Sequence, residues 1–117
     1  MSYMLLVIEK VGDRRERTES EGRALYERML RFSEDLTRRG VLKTSQSLKT
    51  DAEAVRVLRA EGKSVVRDGP FAEAREMIGG FFLLSCETRE EAVAIAAECP
   101  AALWATIEVR ELGPCFQ

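Results

Sequence analysis

The stretch Asp68-Gly69-Pro70-Phe71-Ala72-Glu73-Ala74-Arg75-Glu76-Met77-Ile78-Gly79-Gly80 holds the side chains of this sequence best suited to chemistry. A carboxylate at a backbone corner can act as a general base or anchor a polar ligand, which makes Asp68 the first catalytic candidate. The guanidinium of Arg75 can hold an anionic group nearby. The same residues also have a purely structural reading. Asp68 can accept hydrogen bonds from the amides after it, Gly69 tolerates unusual dihedrals, Pro70 fixes the next one, and Phe71 anchors the corner in the core. Gly79-Gly80 then marks a close backbone approach or a bulge at a strand entrance. On these residues alone the corner reading ranks first.

A second group lies near the end of the chain. Thr106, Glu108 and Arg110 share one face of a strand, opposite Ile107 and Val109. If the apolar pair faces helices, Glu108 and Arg110 face the other side, where they can bind a polar ligand. They can also pair with each other as a salt bridge, the commoner outcome. Trp104 can line a pocket or pack on the domain edge. Tyr3 and Tyr26 could donate protons, but one begins a strand and the other flanks a helix stripe. Ser45 and Ser47 have no base near them in sequence.

The chain contains no histidine, so every mechanism that needs an imidazole as base, shuttle or metal ligand is excluded within it. The three cysteines, Cys86, Cys99 and Cys115, form no C-x-x-C pair and read as reduced thiols, two of them in apolar segments. No phosphate loop, nucleophile elbow or carboxylate metal cluster is present, and no cofactor or metal is expected. The 117 residues, 45% hydrophobic and 32% charged, suit one globular domain spanning residues 1–117. The 18 basic and 20 acidic residues give a net charge of −2 with no basic cluster, so nucleic acid is not an expected partner. No apolar run approaches the ~20 residues of a membrane span. The opening Met1-Ser2-Tyr3-Met4-Leu5-Leu6-Val7-Ile8, closed by Glu9, is too short and lacks the basic lead of a signal peptide. A soluble, cytoplasmic chain is the expectation.

The elements that must position these residues follow from periodicity. Tyr3 to Glu9 reads as a strand and Val11 to Arg17 as a charged loop. Thr18 and Glu21 have capping-box spacing, and Leu25, Met29, Phe32 and Leu36 form the apolar stripe of the helix they open. Gly40 stops it, and Val41 to Ser47 reads as a second strand. Ala54 to Arg59 and Lys63 to Arg67 read as a hairpin around Glu61-Gly62, and Phe71 to Ile78 as a connection leading to the strand Phe81 to Cys86. Thr88 and Glu91 repeat the capping spacing, before a helix with inner face Ala92, Ile95, Ala96 and Cys99 that Pro100 ends. Ala105 to Leu112 is the last strand. Without the hairpin the order is βαββαβ, an α+β ferredoxin-like pattern.

Two helices cover one face of such a sheet, yet two strands are apolar on both. Met4, Leu6 and Ile8 oppose Tyr3, Leu5 and Val7, while Phe81 and Leu83 oppose Phe82, Leu84 and Cys86. Leaving the second face in water forgoes ~25 cal/mol per Å² of apolar area. An isologous homodimer covers it; a hairpin folded back over the face in a monomer is the alternative.

The string DGPFAEAREMIGGFFLL resembles the signature of the YCII-related family, in its DGPF-domain branch. The resemblance extends over nearly the full chain: Tyr3-Met4-Leu5-Leu6, Gly40-Val41-Leu42, Cys99-Pro100-Ala101-Ala102 and Ile107-Glu108-Val109-Arg110 follow in the family's order. It implies a ferredoxin-like fold, a dimeric α/β barrel, and membership of a group in which many proteins have no established activity. A histidine and an aspartate are proposed as an active-site pair in the YCII branch. Asp68 matches that aspartate, but the histidine has no counterpart here, so His–Asp chemistry does not carry over. DGPF-type proteins are often encoded beside extracytoplasmic-function sigma factors, which implies an accessory or regulatory link to that pathway. Three readings follow: a small-molecule enzyme or binding protein with a pocket near Asp68, an accessory protein acting through contacts, and a member that kept the dimer and lost the chemistry.

Overall fold

Strict alternation carries the first strand to its end. In the computed structural model, which describes residues 1–116, β1 (Ser2–Lys10) buries Tyr3, Leu5, Val7 and Glu9 on one face and half-buries Ser2, Met4, Leu6 and Ile8 on the other. A 3-10 turn (Asp13–Glu16) leads to α1 (Glu19–Arg38). The capping box forms at its start: Thr18 Oγ1 accepts the Glu21 N–H at 3.1 Å, and the Glu21 carboxylate accepts the Thr18 N–H at 2.9 Å. Phe32 and Leu36 of the apolar stripe are buried, and Met29 packs against them.

β2 (Leu42–Ser47), β3 (Val55–Ala60), β4 (Lys63–Asp68) and β5 (Glu76–Ser85) follow, then α2 (Arg89–Glu98), a 3-10 turn (Pro100–Leu103) and β6 (Thr106–Glu111). Only half of a capping box forms at α2. Thr88 Oγ1 accepts the Glu91 N–H, but the Glu91 carboxylate turns to the Glu87 N–H instead of that of Thr88. Its inner face is Ala92, Ile95 and Ala96, continued by buried Cys99. Arg39 ties the two helices together, donating to Asp35 at 3.2 Å and to Glu98 at 2.8 Å. No helix among the described residues is long and apolar enough to cross a membrane.

The four-stranded sheet runs β2-β5-β1-β6 with antiparallel neighbours, the strand order of a ferredoxin-like α+β fold. Its helix face carries the core, in which Leu5, Leu36, Leu84 and Ile95 are completely buried and Phe32 meets Phe82 edge to face at 5.4 Å. Burial of each such side chain contributes ~1.5–3 kcal/mol. The other face presents Met4, Leu6 and Ile8 beside Phe81 and Leu83, all half-buried. Register sets Glu108 and Arg110 beside Leu6 and Met4 on one flank, and Gln46 and Thr44 beside Phe81 and Leu83 on the other. The centre is apolar and the flanks are polar.

β3 and β4 form a separate two-stranded ladder. Every residue of β3 is exposed, and of β4 only Val65 is half-buried. The ladder stands off the sheet and leaves its second face open within one chain. β5 also begins earlier than the expected strand at Phe81. The segment from Glu76 to Ile78, read from sequence as a connection, pairs with Lys10, Glu9 and Ile8, and Gly79 is the extra residue of a bulge between Ile8 and Val7.

Burial raises the thiols of Cys86 and Cys99 above their ordinary value, whereas Cys115 is exposed. At neutral pH a disulfide reagent is expected to modify Cys115 rapidly and the other two only on unfolding. Because their folded values lie above the unfolded one of about 9.0, the two buried thiols contribute stability below that pH and lose it as the pH climbs through the folded values. Rapid labelling of all three in the native protein would contradict this burial.

Candidate functional site

Glu9 occupies a position on β1 where alternation demands a core residue. Its carboxylate points to the helix side and is 7% exposed. Removing a carboxylate from water is tolerable only with a partner of good geometry. Arg14, on the 3-10 turn, supplies it: Nε donates to Oε1 at 2.6 Å and Nη2 to Oε2 at 3.3 Å. The same guanidinium donates to the carbonyls of Leu48 at 2.7 Å and Gly79 at 3.2 Å. One side chain therefore joins the end of β1, the turn after it, the exit of β2 and the bulge of β5. A Cβ at Gly79 would collide with the Glu9 carboxylate, so the close approach there requires glycine.

This fork closes the inner end of a cleft of about 640 Å³ between α1 and the sheet. Leu25 and Met29 of α1 form one wall, Val7 and Phe82 of the sheet another, and Trp104 a third. Ser33 and Ser45, with Oγ atoms 3.2 Å apart, tie α1 to β2 within it. The Arg28 guanidinium lies 5.6 Å from the centre of the Trp104 ring, a cation–π contact that fixes the indole. The charges of the lining mostly cancel: Glu9 pairs with Arg14, and Glu19 with Arg23 at 2.8 Å. Arg17 lines the cleft too, and among the described residues its side chain makes no hydrogen bond or ion pair. An apolar slot with aromatic walls and one spare guanidinium can seat a small molecule bearing an anionic group.

Of the residues singled out from sequence, Trp104, Tyr26, Ser45 and Ser47 line this cleft, whereas the first-choice candidates Asp68, Arg75, Glu108 and Arg110 lie elsewhere. Asp68 ends β4 opposite Val55 and is exposed. Its side chain accepts no hydrogen bond among the described residues. The corner is held instead by main chain, with the Gly69 N–H on the Ala54 carbonyl at 2.8 Å and the Ala74 N–H on that of Phe71 at 3.0 Å. Phe71 is half-buried under the Arg56 guanidinium, 3.8 Å from the ring centre, and does not reach the core as expected. Arg75 is exposed, and its carbonyl accepts the Val11 N–H at 2.9 Å. Glu108 and Arg110 are brought together on the open sheet face, as an exposed ion pair of 3.8 Å.

A second cavity, about 660 Å³, opens at the base of the hairpin between Ile8, Met77 and Ile78 of the sheet and Phe71. Asp51 lines it, is 9% exposed, and its Oδ2 is buried with no hydrogen-bond partner among the described residues. Such an orphan acceptor costs ~1–3 kcal/mol.

Sequence reasoning missed Glu9, Arg14, Arg17 and Asp51. Only Glu9 left a signal. It keeps the parity of Tyr3, Leu5 and Val7, so a charge at a buried position was readable as needing a partner.

The profile of the YCII-related domain family matches residues 1–115. An uncharacterized protein of Rhizobium meliloti (strain 1021) is 37% identical over 62 residues, which cover 51% of this chain and 50% of that protein. The matched segment thus spans half the length of that relative.

Gly79→Ala should cost ~1–3 kcal/mol in chemical denaturation, the penalty of forcing a methyl group into a filled space. Glu9→Ala combined with Gly79→Ala should cost less than the two separately, since the first vacates what the second strikes. A neutral Gly79→Ala would contradict the close approach.

Proposed function

The chain belongs to the YCII-related domain family, and from that membership and the cleft we propose a homodimeric protein that binds a small organic anion between α1 and the sheet. The string Asp68-Gly69-Pro70-Phe71 supports its placement in the DGPF-domain branch. The observation that carries the proposal is the unpaired Arg17 on a cleft whose other ionic side chains are matched in pairs. The anionic group of the ligand meets Arg17, and its apolar or aromatic body lies between Met29 and Trp104. With no histidine in the chain, imidazole chemistry plays no part in what happens to the ligand.

Dimerisation uses the open sheet face. Met4, Leu6, Ile8, Phe81 and Leu83 supply an apolar centre that a two-fold axis places against its own copy. Glu108 and Arg110 flank that centre and face the space between the paired sheets, while Asp68 and Arg75 belong to the hairpin and the corner beside it.

A thermal-shift screen of small organic acids tests the ligand. At ~100 times its dissociation constant a ligand should stabilise the fold by roughly 2.7 kcal/mol. Arg17→Ala should abolish that shift while changing the ligand-free stability by less than about 0.5 kcal/mol. A screen with no hit, or a shift that persists in Arg17→Ala, would defeat the anion reading. Light scattering should give twice the 13.2 kDa chain mass for wild type and the chain mass for Leu6→Glu. A monomeric wild type would remove the dimer.

A further inference from the structure

We propose that the β3–β4 hairpin is an arm that each copy of the chain lays on its partner, gripping it with the outward face of the ladder. This role presupposes the sheet-face dimer and adds to it, because the open sheet face alone is too small for a stable pair. Four strands about 20 Å long at ~4.8 Å spacing present a footprint of roughly 400 Å². A stable interface takes ~800 Å² from each partner.

Within one chain the arm lacks support. Every residue of β3 is exposed, and of β4 only Val65 is half-buried. A two-stranded ladder with nothing packed on it is marginal in water. Register divides it into two faces. Arg56 and Leu58 share one with Arg67 and Val65, and the Arg56 guanidinium turns to Phe71 at the base. The other face carries Val55, Val57 and Val66, which are 54%, 66% and 61% exposed, with Val57 directly opposite Val66. The radius of gyration is 16.1 Å, where a compact domain of this length has ~13 Å. The excess is that of an arm projecting from a slab 18 Å thick.

Three features make a second copy the occupant. The arm starts where the dimer face ends, since Phe71 at its root lines the same cavity as Ile8 and Ile78 of the open sheet. The charges are complementary: residues 55–68 carry four basic and two acidic side chains, the rest of the chain 14 and 18. The area also closes. Two strands of six residues present a face of ~200 Å². Under two-fold symmetry each copy covers its own arm face and an equal patch beneath the partner's arm, which brings the total to ~800 Å². A nucleic acid would meet the basic side chains and leave the three valines in water.

The Asp-Gly-Pro-Phe corner roots the arm. The Gly69 N–H donates to the Ala54 carbonyl at 2.8 Å and closes the base of the ladder. A Cβ at Gly69 would collide with the Asp51 carbonyl oxygen, so the root packs tightly on the turn that precedes β3. Phe71 lies under Arg56, 3.8 Å from ring centre to guanidinium. The motif singled out for chemistry thus sets the direction of the arm.

Hydrogen exchange of residues 55–68, read by mass spectrometry alongside sedimentation equilibrium of the full chain, tests the arm. In the wild-type dimer its amides should exchange at least ~10-fold more slowly than in Leu6→Glu, the monomeric variant. Val57→Thr combined with Val66→Thr keeps the strand preference of both positions. It should raise the dimer dissociation constant at least ~10-fold, since each dimer places four hydroxyl groups where valine methyl groups were covered. If that variant fails to fold, the exchange comparison decides alone. A wild type that stays monomeric at every concentration would remove the sheet-face dimer and the arm with it. A dimer whose arm exchanges as fast as in Leu6→Glu, or whose dissociation constant ignores the two threonines, would overturn the arm and leave the sheet-face dimer standing.

Discussion

A carboxylate buried at the end of a core strand constrains everything around it. Glu9 gives up its water, and the fold compensates with an arginine fork from the following turn. Because the fork also donates to the carbonyls of Leu48 and Gly79, the exit of β2 and the bulge of β5 are tied to one side chain. The bulge at Gly79 makes room for the carboxylate and shifts the register of β5, so that Ile78 pairs with Ile8. Both cavities stand on this end of the sheet, the apolar slot on its helix side and the Asp51 cavity beside Ile8 and Ile78.

The rest of the sheet follows simpler rules. One face is paid for by two helices whose apolar sides meet Leu5, Phe82 and Leu84. The other keeps an apolar centre between polar flanks, and the hairpin does not cover it. In the proposed dimer a second copy covers it, since a two-fold axis matches an apolar centre to itself and a polar flank to a polar flank.

Much of this was legible in the sequence, and the failures have physical causes. Period-two alternation located β1 and the two faces of β5, and the three-four spacing of Leu25, Met29, Phe32 and Leu36 located the buried side of α1. The Gly79-Gly80 pair announced its bulge, because only a filled space or an extra residue calls for glycine there. The start of β5 was hidden: Glu76, Met77 and Ile78 lack alternation and join the ladder only because the strand end of β1 is held out for them. The partner of Glu9 was hidden for a related reason. Arg14 sits in a loop crowded with arginines, and nothing in Asp13-Arg14-Arg15-Glu16-Arg17 distinguishes the one that turns inward. Asp51 gave no signal at all, since its burial depends on Gly69, distant in sequence, packing against its carbonyl.

The Glu9–Arg14 pair, acting as a unit, holds the end of the sheet on which both cavities are built. A double-mutant cycle with Glu9→Leu and Arg14→Met, read by equilibrium denaturation, addresses it most directly. Each single change should destabilise by ~3 kcal/mol, and the double variant should lie closer to wild type than either, a coupling of about 2–3 kcal/mol. Losses that add to within ~0.5 kcal/mol would mean that the two side chains act independently, and the account built on them would fail.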